Sequence, residues 1–153
     1  MNKNKSKTMQ ILWILFESLL IVLIIKIFIL SPFIVSGKSM NDSLKENDLL
    51  FALKKSSIEF LTGYKKENLN GFLRNKVLVI KSDESFIIKR CIGTEGDTLI
   101  FIDSMKIDTF IVPHDSIFVI GDNFRNSLDS RKFGFVSNKK IVGVQIKNII
   151  KIF

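Results

Sequence analysis

The chain has 153 residues, 46 % hydrophobic and 25 % charged, which suits one compact domain and excludes a disordered tail. Lys plus Arg (23) exceed Asp plus Glu (15), for a formal net charge of +8. One Cys excludes an internal disulfide framework or a Cys-rich zinc site, and one His excludes a His-cluster metal centre. Four lysines (Lys3, Lys5, Lys7, Lys26) against Glu17 leave residues 1–32 strongly basic. The remaining excess is spread as single charges and the pairs Lys54-Lys55, Lys65-Lys66 and Lys139-Lys140. No dense basic run interleaved with aromatics occurs, so the pattern argues against nucleic acid and for an anionic membrane surface.

Residues 9–30 read MQILWILFESLLIVLIIKIFIL. At ~1.5 Å per residue this run matches the ~30 Å hydrocarbon layer. The expected division is a cytoplasmic tail over 1–8, a transmembrane helix over 9–31 and an extracytoplasmic body over 32–153. Lys26 can snorkel to the outer surface, Glu17 turns toward protein or the inner half of the bilayer, and Trp13 suits the inner interface. The lysines at 3, 5 and 7 place the amino terminus inside. The run exceeds a signal-peptide core and no Ala-x-Ala-like site follows, which favours an anchor over a cleaved signal.

Beyond Ser31-Pro32 the pattern changes to short β segments. Leu49–Leu53, Val77–Lys81, Phe86–Ile92, Thr98–Ile102, Ile117–Ile120, Ile141–Ile146 and Ile149–Phe153 are rich in Ile, Val and Phe. Turn residues separate several of them, at Ser82–Glu84, Gly93–Gly96, Asp103-Ser104 and Gly121–Asn123. Only Lys147-Asn148 parts the last two segments, which can therefore form one bent strand. Ser56–Asn75 carries no clear period, and a short helix or an irregular loop is expected near Ser57–Leu61. A small, mainly antiparallel β fold results, and fourteen Phe exceed what its core needs, so some are expected near lipid.

Four segments carry chemistry. In Ser36-Gly37-Lys38-Ser39-Met40, a Ser after a flexible Gly can present its hydroxyl and its N–H to a carbonyl; a plain linker reads the same way. In the Phe86–Ile92 strand, Lys89 shares a face with Ile87 and Cys91, and Arg90 shares one with Phe86, Ile88 and Ile92. One cation must therefore sit among apolar neighbours, where a Lys loses solvation and can become a neutral base, unless the strand lies at an edge open to water. Gly93–Asp97 reads as a structural turn, because no phosphate-loop continuation follows. Gly121–Arg131 packs acids, amides, hydroxyls and two Arg into a few residues. Asp129 and Arg131 are placed to pair there and Ser127 can reach an amine; a solvated loop is the plain alternative.

Together these segments resemble the type I signal peptidases, the membrane-bound Ser/Lys proteases that remove signal peptides. Ser36–Leu44 is similar to that family's SGxSMxPTL box, Lys89–Asp97 to KRxIGxxGD, and Gly121–Val136 to GDNRxxSxDSRxxGxV. Val112-Pro113 and Ile120 match the VPxxxxFVxGDN lead-in. The resemblance implies Ser39 as nucleophile with its N–H in an oxyanion hole beside Gly37. It further implies Lys89 as general base, Ser127 as the hydroxyl orienting the amine, Asp129 and Arg131 as a structural ion pair, and Asp122 as the acid of the GDN turn. Asp42 and Ser43 stand where the family has Pro and Thr, and Phe124 stands where it has Arg. A hydroxyl two residues before the nucleophile is replaced by Gly37. His114 is expected at the surface, Cys91 in packing, and Asp103, Asp108 and Asp115 in turns without metal-ligand spacing.

The implied protein is a signal-peptide-cleaving serine endopeptidase of the bacterial plasma membrane, with no cofactor and no metal. Its partners would be preprotein signal peptides, membrane lipids and, as an open matter, a secretion-machinery protein. Two alternatives stand beside it: a catalytically impaired relative that binds preproteins or assists a secretion complex, and a Ser/Lys self-cleaving repressor, which the anchor disfavours.

Overall fold

The way the amino-terminal helix ends decides where the body begins. The computed structural model describes residues 3–150 except 64, 84, 104 and 105. Helix α1 (Lys3–Ile24) widens into a π-helical turn over Ile25–Ile29 and stops at Leu30, which is extended. The segment Lys7–Ile29 has mean hydropathy 2.6, is long and apolar enough to cross a membrane, and buries nothing within the protein. The Glu17 carboxylate accepts the Trp13 indole N–H at 2.7 Å, one helical turn away. Carbonyls in the last turn of a helix lack intrahelical donors. Here Lys54 Nζ donates to the Ile27 carbonyl, and Ser57 Oγ donates to that of Phe28 at 2.8 Å.

Strand β1 (Leu30–Ile34) follows at once and includes Ser31-Pro32, which the sequence pattern placed before the strands. Pro32 is tolerated because β1 is an edge strand, paired only with β2 (Leu49–Lys54). The main sheet has seven strands. From β1 and β2 it continues through β9 (Ile141–Ile150), β3 (Val77–Lys81), β4 (Phe86–Thr94), β7 (Ser116–Ile120) and β8 (Val136–Ser137), with antiparallel pairing throughout. Two strand candidates near the carboxyl terminus are thus one strand, and residues 151–153 of the second lie outside the described residues. A hairpin of β5 (Thr98–Asp103) and β6 (Lys106–Ile111) forms a separate two-stranded sheet. The sequence reading missed β6. It also placed Gly93-Thr94 in a turn, whereas both belong to β4, past a bulge where pairing with β7 shifts between Cys91 and Gly93.

The sheet is buried on both faces, so β3 reads as a continuous apolar run. Leu78 and Ile80 join Cys91, Ile117, Val119 and Val144 in one core, closed by Ile58 of helix α2 (Lys55–Leu61) and Leu73 of helix α3 (Lys66–Leu73). Val77 and Val79 join Leu50 and Ala52 in the other, closed by Val35, Met40 and Leu44 from the segment after β1. Curling brings distant strands together: Phe33 of β1 and Phe86 of β4 have ring centroids 5.4 Å apart, although three strands separate them in the sheet order. The result is a mainly antiparallel, half-barrel β fold carrying one apolar amino-terminal helix.

Candidate active site

The loop after β1 is held by its own apolar side chains. Met40 and Leu44 are fully buried, and the Ser43 and Leu44 N–H groups both donate to the Met40 carbonyl, at 2.9 and 2.7 Å. Gly37 precedes this turn at φ +83°, a left-handed conformation that suits glycine. Its N–H faces Glu46 at 3.4 Å. Ser39 is thereby lifted, half-buried, toward β4, and among the described residues no hydrogen bond occupies its N–H.

Lys89 lies on β4 opposite Leu78, only 5 % exposed. Its Nζ is 2.6 Å from Ser39 Oγ. Of the two cations in this strand, Lys89 is the one the core encloses, while Arg90 keeps partial access to water. Burial pushes the Lys89 amine below its ordinary value, and the negative charge of Asp129 opposes that shift only in part. Burial thus favours the neutral amine beside a hydroxyl, and the neutral form is the one that activating that hydroxyl requires.

The polar segment after β7 braces this pair. Gly121 needs to be glycine: a Cβ there would lie 2.2 Å from Ser127 Oγ and 2.5 Å from the Ser39 carbonyl oxygen. Asn123 donates its N–H to the Ser39 carbonyl and its side-chain amide to that of Lys38, both at 2.9 Å. Asp122 accepts a two-pronged pair of bonds from Arg90 and a further one from the Ser43 hydroxyl. Burial works against its charge, but these donors win and hold its carboxyl below the usual range. Asp129, fully buried, accepts a fork from Arg131 Nε and Nη2 at 2.8 Å each, together with the Gly121 N–H at 2.9 Å. Despite burial, its carboxyl is likewise kept well below the usual range, with the Arg131 bonds the largest cause.

Every candidate site residue thus falls in one neighbourhood. Ser39 and Lys89 are in contact, Gly37 lines the same pocket, and Asp122, Asp129 and Arg131 form its frame. Ser127 is buried against Gly121 with its hydroxyl toward the Asp129 carboxylate, and among the described residues no hydrogen bond joins it to the Lys89 amine. Arg90, Ser43, Asn123 and Gly121 were given no role from the sequence. All four stand in the quoted segments, yet only their spatial partners reveal what they do. Phe124, which replaces the family's Arg, lies 3.6 Å beneath the Arg131 guanidinium, and its carbonyl accepts from Arg131 Nη2.

A narrow pocket of about 100 Å³ adjoins the pair, lined by Phe33, Ile34 and Val35 from one side and Phe86, Ile87 and Ile88 from the other. His114, at the surface, sits with Glu95 and Asp115 away from this pocket. Cys91 is buried in the core with its thiol pushed up to about 12, so it packs as an apolar group.

Known proteins match along most of the chain. The signal peptidase I U of Bacillus subtilis (strain 168) is 31 % identical over 94 % of this chain and 87 % of its own length. The signal peptidase I P of Bacillus subtilis subsp. natto is 28 % identical over 94 % and 91 %. The signal peptidase I S of Bacillus subtilis (strain 168) is 28 % identical over 93 % and 90 %. A family described as signal peptidase, peptidase S26, matches residues 8–107 and 102–149. Because that match runs from the apolar helix through both halves of the Ser39–Lys89 pair, the chain belongs to the signal peptidase family.

Proposed function

We propose that the protein is a membrane-anchored serine endopeptidase that cuts signal peptides from exported preproteins with a Ser39–Lys89 dyad. The observation that carries this reading is the 2.6 Å contact between the Ser39 hydroxyl and an amine enclosed in the core. The neutral Lys89 amine takes the Ser39 proton as Oγ bonds to the scissile carbonyl carbon, and the carbonyl oxygen gains the negative charge. The Ser39 N–H, backed by Gly37, donates to that oxygen. When the tetrahedral adduct collapses, the C–N bond breaks, and the Lys89 ammonium returns its proton to the leaving amine. Water, deprotonated by the same amine, then attacks the Ser39 ester and releases the acyl half. Ser127, buried beside Gly121, would steady the amine as the proton moves once its hydroxyl turns toward Lys89.

Two strand edges support a peptide substrate. Among the described residues nothing pairs with the outer edge of β1, and β4 pairs with β7 only from Arg90 onward, leaving Phe86–Lys89 open on that side. An extended segment laid between them would make main-chain bonds to both, and the 100 Å³ pocket suits small side chains before the cut. The apolar helix Lys7–Ile29 would hold the enzyme in the bacterial plasma membrane, amino terminus inside, where the substrate's own apolar segment is inserted. A secretion-machinery partner is compatible with that placement.

The test is to incubate the detergent-solubilised full chain with a preprotein, beside Ser39→Ala and Lys89→Ala. Cleavage by the parent and its loss by at least ~10³-fold in both variants is expected. Unchanged cleavage in either variant rejects the dyad. A parent that binds the preprotein without cutting it is a binding relative rather than an enzyme.

A further inference from the structure

One residue holds both carbonyls that flank the Ser39 side chain along the backbone. The Asn123 N–H donates to the Ser39 carbonyl and the Asn123 side-chain amide to the Lys38 carbonyl, each at 2.9 Å. The Asn123 carbonyl accepts the Asn126 N–H at 3.1 Å, so the turn that carries both donors is itself closed. Its approach depends on Gly121, where a Cβ would lie 2.5 Å from the Ser39 carbonyl oxygen. The Lys38 carbonyl has a longer second donor, the Asn41 N–H at 3.2 Å, which belongs to the loop's own turn. Among the described residues, the Asn123 amide is therefore the one bond that ties this carbonyl to the fold beyond its own loop.

Holding that carbonyl also sets the direction of an N–H. The Lys38 carbonyl and the Ser39 N–H belong to one planar trans peptide and point in opposite directions. A carbonyl fixed toward Asn123 leaves the N–H facing away from it, and among the described residues that N–H donates to nothing. Gly37, at φ +83°, brings neither a side chain that would stiffen the loop nor a hydroxyl that could share an oxyanion's charge.

We propose that Asn123 is a positioning residue that aims the Ser39 N–H at the oxygen on which charge develops in the transition state. This rests on the reading of Ser39 and Lys89 as an acylating dyad. A donor already aimed needs no reorganisation as the charge appears, whereas a peptide free to swing must be turned back in every cycle. Among the described residues Asn123 makes no hydrogen bond to Ser39 Oγ or to the Lys89 amine, so its task is separate from proton transfer.

The test compares the full chain in detergent with Asn123→Ala and Asn123→Leu, which remove the side-chain donor and keep the backbone N–H. A preprotein gives kcat and KM, and two peptides ending at the cut, an aldehyde and the matching alcohol, give binding. Ser39 Oγ adds to the aldehyde carbon, its proton passes to the Lys89 amine, and the former carbonyl oxygen takes the oxyanion position; the alcohol cannot react. In both variants kcat is expected to fall by about tenfold to a hundredfold, less than for outright loss of a donor because the Asn41 bond remains. KM and alcohol binding stay as in the parent, aldehyde binding weakens by the same factor as kcat, and the midpoint of the rise of kcat/KM with pH does not move. If aldehyde and alcohol weaken together, or that midpoint shifts, the side chain only holds the loop and the proposal is overturned. Parental kcat in both variants overturns it as well. A parent that neither cuts the preprotein nor prefers the aldehyde refutes the dyad itself, and the role of Asn123 goes with it.

Discussion

Arg90 and Asp122 meet as a fork, Nε to Oδ1 at 2.8 Å and Nη2 to Oδ2 at 2.6 Å. Arg90 follows Lys89 in the chain, and Asp122 also holds the Ser43 hydroxyl, four residues past Ser39. The fork therefore ties the strand of the base to the loop of the nucleophile. Arg90→Lys keeps the charge but replaces two directed bonds with a point contact. The expected result is a kcat lower by about tenfold to a hundredfold with KM little changed, since misplacement of this order costs that much. Steady-state kinetics on a preprotein check it, and an unchanged kcat would remove Arg90 from the positioning of the dyad.

The buried amine makes activity and stability rise together with pH, whereas replacing it trades activity for stability. Because the base is the neutral form, kcat/KM should rise with pH and level off above an ionisation that lies below the ~10.4 of free lysine. A profile still climbing at that pH would describe a solvated amine. Between the lowered folded value and the ordinary 10.5, the unfolded chain binds the extra proton. Stability therefore increases with pH through that window, and the full cost is present below the folded value. Lys89→Met should remove the cost, gaining about 1 kcal/mol at neutral pH, as substitutions in strained active sites do. Thermal unfolding and cleavage measured on one preparation test both halves.

Gly121→Ala places a methyl group where Ser127 Oγ and the Ser39 carbonyl oxygen already lie. The second of these is backbone, so relief requires the nucleophile loop to move. A loss of about 2 kcal/mol in stability and about a hundredfold in kcat is expected. Urea unfolding and kinetics would show whether the loop shifts; an alanine variant with parental kinetics would mean that the turn, not the loop, gives way.

Acid should unfold the protein through Asp129. Its folded carboxyl ionises well below the ~3.9 of the unfolded chain. The stability it contributes is thus complete above about pH 4 and declines as the pH falls from there through the folded value. Asp129→Asn leaves Arg131 facing a neutral amide and should cost about 3 kcal/mol at neutral pH, with a shallower loss of stability in acid than the parent shows. Urea midpoints followed from neutral pH into this range test the sign as well as the size.

Much of the architecture was legible because it is local. Val77–Lys81 and Phe86 onward announce strands by their β-branched and aromatic content, and both form as expected. Lys89 within an apolar alternation left a desolvated amine and an edge strand open to water as alternatives, and burial in the fold decides for the first. Elements that escaped notice lacked a local signal. In β1, Pro32 interrupts an apolar run continuous with the anchor, and only an edge position makes it a strand. In β6, Lys106–Ile111 mixes Asp and Thr with apolar residues, and its pairing with β5 settles its state. Phe124 read as a departure from a family box, whereas its ring and carbonyl both receive Arg131.

By itself, the sequence determined what depends on neighbours a few positions apart: an apolar run long enough to span a bilayer, a set of strands, and the order of the boxes that mark the family. Only the tertiary structure decided that Ser39 and Lys89, 50 positions apart, touch, that Arg90 rather than Lys89 keeps access to water, and that Gly121 must lack a side chain. The reason is physical. Burial of an amine and contact between distant groups depend on how a sheet curls and what covers it, and those follow from pairings between strands far apart in the chain, which no local pattern encodes.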